Sequence, residues 1–338
     1  MNSFGRIFRV HIFGESHGEC VGLTIDGCPA GLPLSVEDFT TDIERRKPGA
    51  LGTTPRKEDD IPQVKTGLFN GKTTGAPLTI LFENKNTRST DYEKQRAVPR
   101  PGHADFVASK KFGGFEDYRG SGHFSGRLTV CLVAAGVIAK KILPPPPPEG
   151  GTGVSITSRI IEIGGETDLD KGLQKAIDAK DTIGGIIECK VTGLPIGLGE
   201  PFFDSAESLI SHAVFAIPAV RGVEFGTGFA AAKMFGSQHN DSIEDKTGKT
   251  FTNHAGGIVG GLTNGNELVF RIAIKPTSST PKEQQTLNTE TGNVESFSVK
   301  GRHDLCIALR VPVVLEAVTA FVLADLMLLE QKIPGIIY

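Results

Sequence analysis

A short pattern, G-x-P-x-G-L, occurs twice in this 338-residue chain, at 27–32 and again at 193–198. Each copy follows a stretch of alternating apolar residues, which is typical of a strand, and precedes a segment with helical periodicity. Two copies in the same local context predict a duplicated α/β half, so that the chain folds as two related layers. Because glycine is common here, at 42 residues, a chance match is the alternative.

A run of five prolines at 144–148 divides the predicted elements. The prolines predict a polyproline connection on the surface of a single domain, 1–338; a ligand for an SH3-type domain is the less favoured alternative. The predicted strands are 6–13, 21–25, 64–69, 78–82, 153–162, 184–191 and 267–274. One predicted helix begins near Ser35, at a capping box. The other predicted helices cover 103–112, 126–142, 168–179, 205–216 and 312–330. The helix at 126–142 has apolar residues at amphipathic spacing.

Composition argues against several classes of protein. A net charge of −3 gives no basic field for nucleic acid. The apolar stretch near 311–324 carries Glu316 and runs into Asp325, and the N-terminus lacks a signal core. We therefore expect no membrane contact and a cytoplasmic location. Five scattered cysteines without a C-x-x-C motif predict reduced thiols. No set of residues has the spacing of metal ligands. No G-x-G-x-x-G opens a helix, which argues against a nicotinamide-binding domain.

Three loops at predicted element boundaries carry groups that can transfer protons. His17 lies between glycines at 14–18, His103 lies in R-P-G-H-A-D, and Asp304 ends G-R-H-D. Glycine lets the backbone approach a ligand, and a helix start favours anions. Arg100 with His103 therefore suits a phosphate leaving group that needs charge neutralisation and a proton. Ordinary solvated loops and helix capping are the alternatives.

Basic and glycine-rich loops add candidate anion sites. Arg46 ends a predicted helix, and Arg56 follows in the next loop. These arginines either form forked hydrogen bonds to a carboxylate or phosphate, or only complement the helix dipole. The Gly/Ser-rich segments 117–127 and 253–261, and K-P-T-S-S at 275–279, can offer backbone amides and hydroxyls to phosphate groups.

Taken together and in order, the motifs GESHG, RRKPG, RPGHAD, DYRGSG, NHAGG, KPTSS and GRHD resemble the chorismate synthase family from about residue 4 to 330. The resemblance implies an α+β fold, a β-α-β sandwich with internally duplicated halves, assembled as a homotetramer. It implies a carbon–oxygen lyase of the shikimate pathway that makes chorismate by 1,4-anti elimination of phosphate from 5-enolpyruvylshikimate-3-phosphate. FMN is then required in its reduced form, with no net redox change. Whether the chain reduces its flavin with NADPH or needs a separate flavin reductase stays open.

The resemblance also assigns roles to individual residues. His17 and His103 correspond to catalytic histidines, and Asp304 to the acid that handles the proton at flavin N5. The substrate-binding arginines are Arg46, Arg56, Arg100, Arg127 and Arg302. The FMN contacts are His123, Phe124, Ser125, Pro218, Ala219, Gly260, Lys275, Pro276, Thr277, Ser278, Ser279 and Arg302.

Two positions depart from the family pattern. His123-Phe124 stands where relatives commonly carry Arg-Ser, and Leu51-Gly52 stands where they often carry a basic residue. The first change removes a charge and a hydroxyl beside FMN, so flavin affinity or orientation can differ. Two other classes stay open: a flavin- or nucleotide-binding regulatory protein without turnover, and an ordinary FMN oxidoreductase.

Overall fold

The N-terminal half of the chain forms a five-stranded antiparallel sheet. The computed structural model describes residues 2–54, 58–86, 96–145, 153–299 and 303–338. The strands are β1 (Ser3–Phe4), β2 (Arg9–Gly14), β3 (Cys20–Asp26), β4 (Gln63–Thr66) and β7 (Leu78–Glu83). They lie in the order β1-β2-β3-β7-β4. Val21, Leu23 and Ile25 alternate along β3 and are fully buried, so one face of this sheet covers the core.

The C-terminal half forms a second antiparallel sheet with the same neighbour relations. Its strands are β8 (Ser155–Ile163), β9 (Gly185–Thr192), β10 (Val220–Phe225) and β13 (Leu268–Ile274), in the order β10-β13-β9-β8. Within the described residues the other strands form three small hairpins: β5 (Leu68–Phe69) with β6 (Lys72–Thr73), β11 (Ile258–Val259) with β12 (Leu262–Thr263), and β14 (Gln284–Leu287) with β15 (Val294–Phe297).

A helical layer separates the two sheets. The helices are α1 (Thr40–Arg46), α2 (Asp105–Phe112), α3 (Thr129–Ile142), α4 (Leu169–Ala179), α5 (Ala206–Val214), α6 (Gly236–His239) and α7 (Pro312–Leu329). Helix α3 packs on the first sheet, α7 packs on the second, and the two helices pack against each other. They approach so closely that a Cβ on Gly136 would lie 2.3 Å from the Cβ of Ala317. This arrangement confirms the predicted α+β fold, a β-α-β sandwich.

The two halves repeat each other down to single hydrogen bonds. After β3, the Thr73 hydroxyl donates to the Pro29 carbonyl (2.6 Å) and accepts the Leu32 N–H (2.9 Å). After β9, Thr263 makes the same two bonds, to the Pro195 carbonyl (2.7 Å) and from Leu198 (2.9 Å). Each G-x-P-x-G-L segment is thus tied to the following hairpin by one threonine, and chance does not explain the repeated pattern.

Both central helices are buried on nearly every side, which differs from the amphipathic pattern predicted for α3. The difference arises because α3 lies in a middle layer, covered by a sheet on one side and by α7 on the other. Among the described residues, two helical stretches, Arg119–Ile142 and Pro312–Leu329, are long and apolar enough for a membrane span, but 72% and 89% of their apolar 18-residue windows are buried inside the fold. Such burial is typical of core helices.

Acidic residues in α7 are buried with partners. Glu316 accepts hydrogen bonds from Arg45 (2.7 Å for each of two) and Lys140 (3.1 Å). Asp325 accepts the backbone N–H groups of residues 6–8 at 2.8–2.9 Å. Because those three N–H groups bond a helix side chain, the strand predicted at 6–13 begins only at Arg9.

Other differences from the predicted elements also have local causes. Gly67, with φ +79°, separates β4 from β5, so the strand predicted at 64–69 is divided. The helix near Ser35 begins as a 3-10 turn at Glu37–Phe39, and the Ser35 N–H donates to the Asp38 carboxylate (2.8 Å). Strand β10 was not predicted. Of the prolines at 144–148, residues 146–148 lie outside the described part of the chain.

Candidate active site

The long connections of both halves leave their sheets at the same end. Strand β7 ends at Glu83 and leads into 84–128, and β13 ends at Ile274 and leads into 275–311. The β2–β3 loop, 15–19, joins them at this end, because β2 ends at Gly14. The threonine-tied hairpins lie at the opposite ends of β3 and β9. We call the two ends the loop end and the hairpin end.

The His17 loop is held by backbone contacts and by close packing. The Asn84 amide donates to the carbonyls of Glu15 and Gly18, both at 2.9 Å. The His17 ring is buried against Gly120, where a Cβ would lie 2.3 Å from the ring Cδ2. Gly120 also has φ +57°, so two independent constraints require glycine there.

Arg100, His103 and Asp105 form one hydrogen-bonded cluster at the start of α2. Arg100 is 6% exposed, and its Nε and Nη2 donate to the two Asp105 oxygens at 2.7 and 2.8 Å. The His103 Nδ1 lies 2.6 Å from Asp105 Oδ1. Burial alone would raise the pKa of Asp105, but hydrogen bonds from Arg100 and His103 hold it well below its usual range. The predicted anion binder Arg100 therefore also orients the predicted catalytic histidine.

A second cluster places one buried carboxylate between two buried arginines. The Asp60 carboxylate, 1% exposed, accepts Arg46 Nη2 (2.6 Å) on one oxygen and Arg127 Nη1 on the other. Burial would raise the pKa of Asp60, but the two guanidiniums outweigh it and lower the value. Burial lowers the pKa of Arg46 to about 10, so this arginine stays charged at neutral pH.

Asp304 is joined to the Arg46 cluster through Arg310. The Asp304 carboxylate accepts the Thr54 N–H (2.8 Å) and Arg310 Nη1 (3.4 Å), while Arg310 Nε donates to the Arg46 carbonyl (3.1 Å). The neighbouring His303 is partly buried; burial first, then the charge of Arg100, lowers its pKa. Burial therefore favours the neutral form of His303, a further histidine in this region.

These clusters form a continuous set of contacts. Arg127 Nε donates to Asn84 Oδ1 (2.9 Å), and Asn84 holds the His17 loop. On the other side Ser121, beside the Gly120 that packs on His17, lies 3.2 Å from His103 Nε2. His17, His103 and the three predicted arginines of the described chain thus belong to one neighbourhood, which Asp304 joins through Arg310.

The K-P-T-S-S segment lies against the Arg100 cluster. Ser279 Oγ accepts Arg100 Nη1 (3.0 Å), and Ser278 Oγ donates to the Gly102 carbonyl (2.7 Å). Lys275 Nζ donates to Ser278 Oγ (2.7 Å), and burial, then the Arg221 charge, lowers the pKa of Lys275. The Lys275 N–H also bonds the Ala219 carbonyl (2.9 Å), which brings Pro218 and Ala219 to the same place. Pro276 lies exposed within the segment.

A cavity of about 240 Å³ opens beside this cluster. His103, Asp105 and Ser121 form part of its wall, together with the aromatic rings of Phe106, Tyr118 and Phe124. Phe124 also packs on Phe112, with ring centroids 6.3 Å apart. The cavity lining thus combines charged and polar side chains with several aromatic rings.

The remaining predicted site residues do not all lie at the loop end. His123 Nδ1 lies 2.8 Å from the Gly14 carbonyl, and Ser125 Oγ caps the next turn by accepting the Arg127 N–H (3.3 Å). Gly260 lies between β11 and β12 at the hairpin end. Arg56 and Arg302 lie outside the described residues.

Sequence reasoning missed several residues of this neighbourhood. Asp60 ends an acidic run, Glu58-Asp59-Asp60, which is indistinguishable from a solvated loop until its two arginine partners are known. Asn84 and Arg310 carry no local motif. His303 and Ser121 lie within the motifs G-R-H-D and D-Y-R-G-S-G, and their position in these motifs is the sequence signal that could have identified them.

Comparisons with known proteins agree with one another. The family model described as chorismate synthase matches residues 8–328. The chorismate synthase of Chitinophaga pinensis is 70% identical, covering 98% of each chain, and that of Methanocaldococcus jannaschii is 41% identical, covering 97% of this chain and 96% of the relative. A crystal structure of chorismate synthase, 24% identical, superposes with a TM-score of 0.71 over 97% of this chain and 93% of its own, which supports the fold. The chain belongs to the chorismate synthase family.

Proposed function

We propose that the chain catalyses 1,4-anti elimination of phosphate from 5-enolpyruvylshikimate-3-phosphate to give chorismate, as a carbon–oxygen lyase that needs reduced FMN. The observation that carries the proposal is the convergence of two histidines, Asp304 and buried arginines at the loop end. These groups come from segments far apart in the chain, and the substrate has two carboxylates and a phosphate to neutralise. Family membership supports the reaction class.

Unpaired polar atoms at the loop end support ligand binding there. Among the described residues, six buried side-chain polar atoms lack a hydrogen-bond partner. Three of them are Arg46 Nε, Thr277 Oγ1 and His303 Nε2, all in the segments described above. Buried polar atoms normally have partners, so these three favour a polar ligand.

The donor set around K-P-T-S-S fits the phosphate group of FMN. Lys275 supplies a positive charge, Ser278 and Thr277 supply hydroxyls, and Arg100 lies directly beside Ser279. We propose that these residues, with Pro218 and Ala219, hold FMN, and that Phe124 offers an apolar surface to its ring. When bound, reduced FMN supplies electron density to the breaking C–O bond and takes it back, so that no net redox change results.

We assign the substrate to the Arg46–Asp60–Arg127 side of the neighbourhood. Arg46 and Arg127 share a single carboxylate, so this cluster has a surplus positive charge for an anionic substrate. Asp60 holds both guanidiniums in place before the substrate arrives, which reduces the ordering needed on binding. Arg56 and Arg302 are proposed as further substrate ligands from the family resemblance.

The contacts of the two histidines support a different role for each of them. The His17 loop is tied through Asn84 to Arg127, so we assign His17 to the leaving phosphate, to which it gives a proton. His103 contacts Asp105, which accepts from Arg100, and Arg100 in turn donates to Ser279 on the proposed FMN side; we therefore assign His103 to the charge on the reduced flavin. Asp304 is assigned to the proton at flavin N5.

Assembly is part of the proposal. Gly260, an FMN contact by resemblance, is separated from Lys275 by the length of β13, whose seven residues span roughly 20 Å. We propose that Gly260 contacts a flavin held by another copy of the chain, as a homotetramer would allow. We further propose a single domain over 1–338, a cytoplasmic location, and flavin reduction either by NADPH on the chain or by a separate reductase.

The direct test is an anaerobic assay with substrate and chemically reduced FMN, measuring phosphate and chorismate. Equal amounts of both products are expected with reduced FMN, and none with oxidised FMN or without flavin. Flavin binding without either product would identify a regulatory flavoprotein instead. Steady consumption of reduced flavin with each product would identify an oxidoreductase.

A further inference from the structure

Ser121 has a backbone conformation that usually belongs to glycine. It lies in Gly120-Ser121-Gly122, where all three residues have positive φ, at +57°, +70° and +50°. The left-handed conformation is unfavourable for a residue with a side chain, because Cβ approaches the following carbonyl oxygen. The two flanking residues are glycine, and the middle one carries a hydroxyl. A strained side chain within a candidate site needs a functional reason.

The hydroxyl of Ser121 lies between two members of the Arg100 cluster. Arg100 Nη2 donates to Ser121 Oγ at 2.9 Å, and the same oxygen lies 3.2 Å from His103 Nε2. Arginine has no acceptor, so the direction of its bond is fixed, and the serine hydrogen is left free to point at Nε2.

The opposite nitrogen of His103 has an equally definite partner. Nδ1 lies 2.6 Å from Asp105 Oδ1, a carboxylate whose pKa is lowered, so it can only accept. Nδ1 must therefore carry the proton, and Nε2 of the neutral ring is an acceptor. Arg100 Nη2 lies 3.1 Å from Nδ1 but does not donate to it, because its two hydrogens are directed at Asp105 Oδ1 and Ser121 Oγ.

We propose that Ser121 is a positioning residue for His103, whose hydroxyl holds Nε2 as an acceptor and connects it to the adjacent cavity. The proposal rests on the function proposed above, because it gives His103 a task in that reaction. Ser121, His103 and Asp105 all line the cavity, so the connection leads to where a ligand can lie.

The hydroxyl can follow the protonation state of the ring. While His103 is neutral, the Ser121 O–H points at Nε2. When a proton reaches Nε2, that nitrogen becomes a donor to Ser121 Oγ, which already accepts from Arg100. The serine hydrogen must then turn towards the cavity, where it can donate to an anionic ligand. One proton enters at Nε2, and only hydrogen-bond directions change elsewhere.

The test uses Ser121→Gly, which removes the hydroxyl and also relieves the strain, so the variant should fold. The readout is the ¹⁵N chemical shifts of the His103 ring at about pH 9, where imidazoles are neutral; His103→Gln identifies the signals. In the wild type we expect Nδ1 protonated and Nε2 shifted as an acceptor. In Ser121→Gly the Nε2 signal should move to that of a nitrogen without a donor, and kcat should fall about five- to tenfold, as for one lost hydrogen bond, with KM nearly unchanged.

Asn70→Gly is the matched control. Asn70 also has a positive φ, +48°, but lies in the hairpin-end turn between β5 and β6, so this variant relieves strain without touching the site. It should leave the Nε2 signal and kcat unchanged. An unaltered Nε2 signal in Ser121→Gly overturns the proposal, whatever its rate. If that signal moves but the wild type releases no phosphate, the positioning role stands and the proposed reaction fails.

Discussion

In the N-terminal half, β2 and β3 are joined by the short loop that carries His17, whereas the equivalent strands β8 and β9 of the C-terminal half are joined by helix α4. Gly172 of α4 packs on Ile163, where a Cβ would lie 2.3 Å from the carbonyl oxygen. The connection between the equivalent strands is therefore a loop that carries His17 in one half and a helix that covers the sheet in the other.

The hairpin ends show the opposite behaviour. Thr73 and Thr263 make the same pair of hydrogen bonds in the two halves, with distances that agree within 0.1 Å. The duplicated frame has thus kept its structure at one end, while the candidate site lies where the halves diverge. The candidate site is therefore built on unequal loops that two equivalent sheets support.

The largest effect is expected at the loop end, in the proton-transfer set. His17→Ala, His103→Ala and Asp304→Ala should each lower the rate of phosphate release by about 10²–10⁴-fold, as for loss of a general acid or base. Circular dichroism should show an unchanged fold. Thr73→Val, at the hairpin end of the N-terminal half, is the matched control and should keep the wild-type rate. A variant of any of the three that turns over normally removes its residue from the mechanism.

The second effect concerns the buried carboxylate between two arginines. Asp60→Asn should lower the free energy of unfolding by about 3–5 kcal/mol, because two buried guanidiniums lose their counter-charge. Denaturant unfolding measures this, and saturating phosphate should restore part of the loss. Asp59→Asn changes an exposed neighbour and should have little effect. Equal stability of the two variants would show that the cluster is not a structural unit.

Asp60 also gives a pH dependence with a definite sign. The two arginines hold its folded pKa below the unfolded value, so its contribution is present above about pH 4 and is lost as the pH falls through the folded pKa. Wild-type stability should therefore fall more steeply below about pH 4 than that of Asp60→Asn. Parallel pH profiles of unfolding would contradict the assignment.

The third effect separates the two sides of the site. Arg46→Ala and Arg100→Ala should each weaken substrate binding by about 2–4 kcal/mol. Arg46→Ala should change FMN affinity little. Arg100→Ala should weaken FMN binding to some degree, because Arg100 supports Ser279. Titration calorimetry with each ligand distinguishes these cases. Normal substrate binding by both variants would show that the two arginines do not bind the substrate.

The smallest effect tests the repeat itself. Thr73→Val and Thr263→Val should each destabilise the chain by about 1–3 kcal/mol, because a buried N–H and a carbonyl lose their partner. The two losses should agree within about 0.5 kcal/mol, since the local bonds are the same. A large difference between the two losses would mean that the two threonines contribute unequally to the free energy of unfolding.

The sequence predicted the frame better than the site. Periodicity predicted the core strands and the position of α3, although α3 is buried on nearly every side rather than along one face. Motifs singled out His17, His103 and Asp304, which remain candidates for catalysis. The pairing of Asp60 with Arg46 and Arg127 could not be predicted, because it depends on a long-range approach of three segments without local signal. The missing edge strand β10 has the same cause: its pattern is weak, and its partner β13 is over forty residues away in the chain.

The most direct measurement follows flavin absorbance and phosphate in one anaerobic rapid-mixing experiment with reduced FMN and a molar excess of substrate. We expect several phosphates released per flavin, with the flavin spectrum back in its reduced form when substrate is exhausted. One flavin oxidised for each phosphate released, or equal turnover with oxidised FMN, would contradict the proposed reaction.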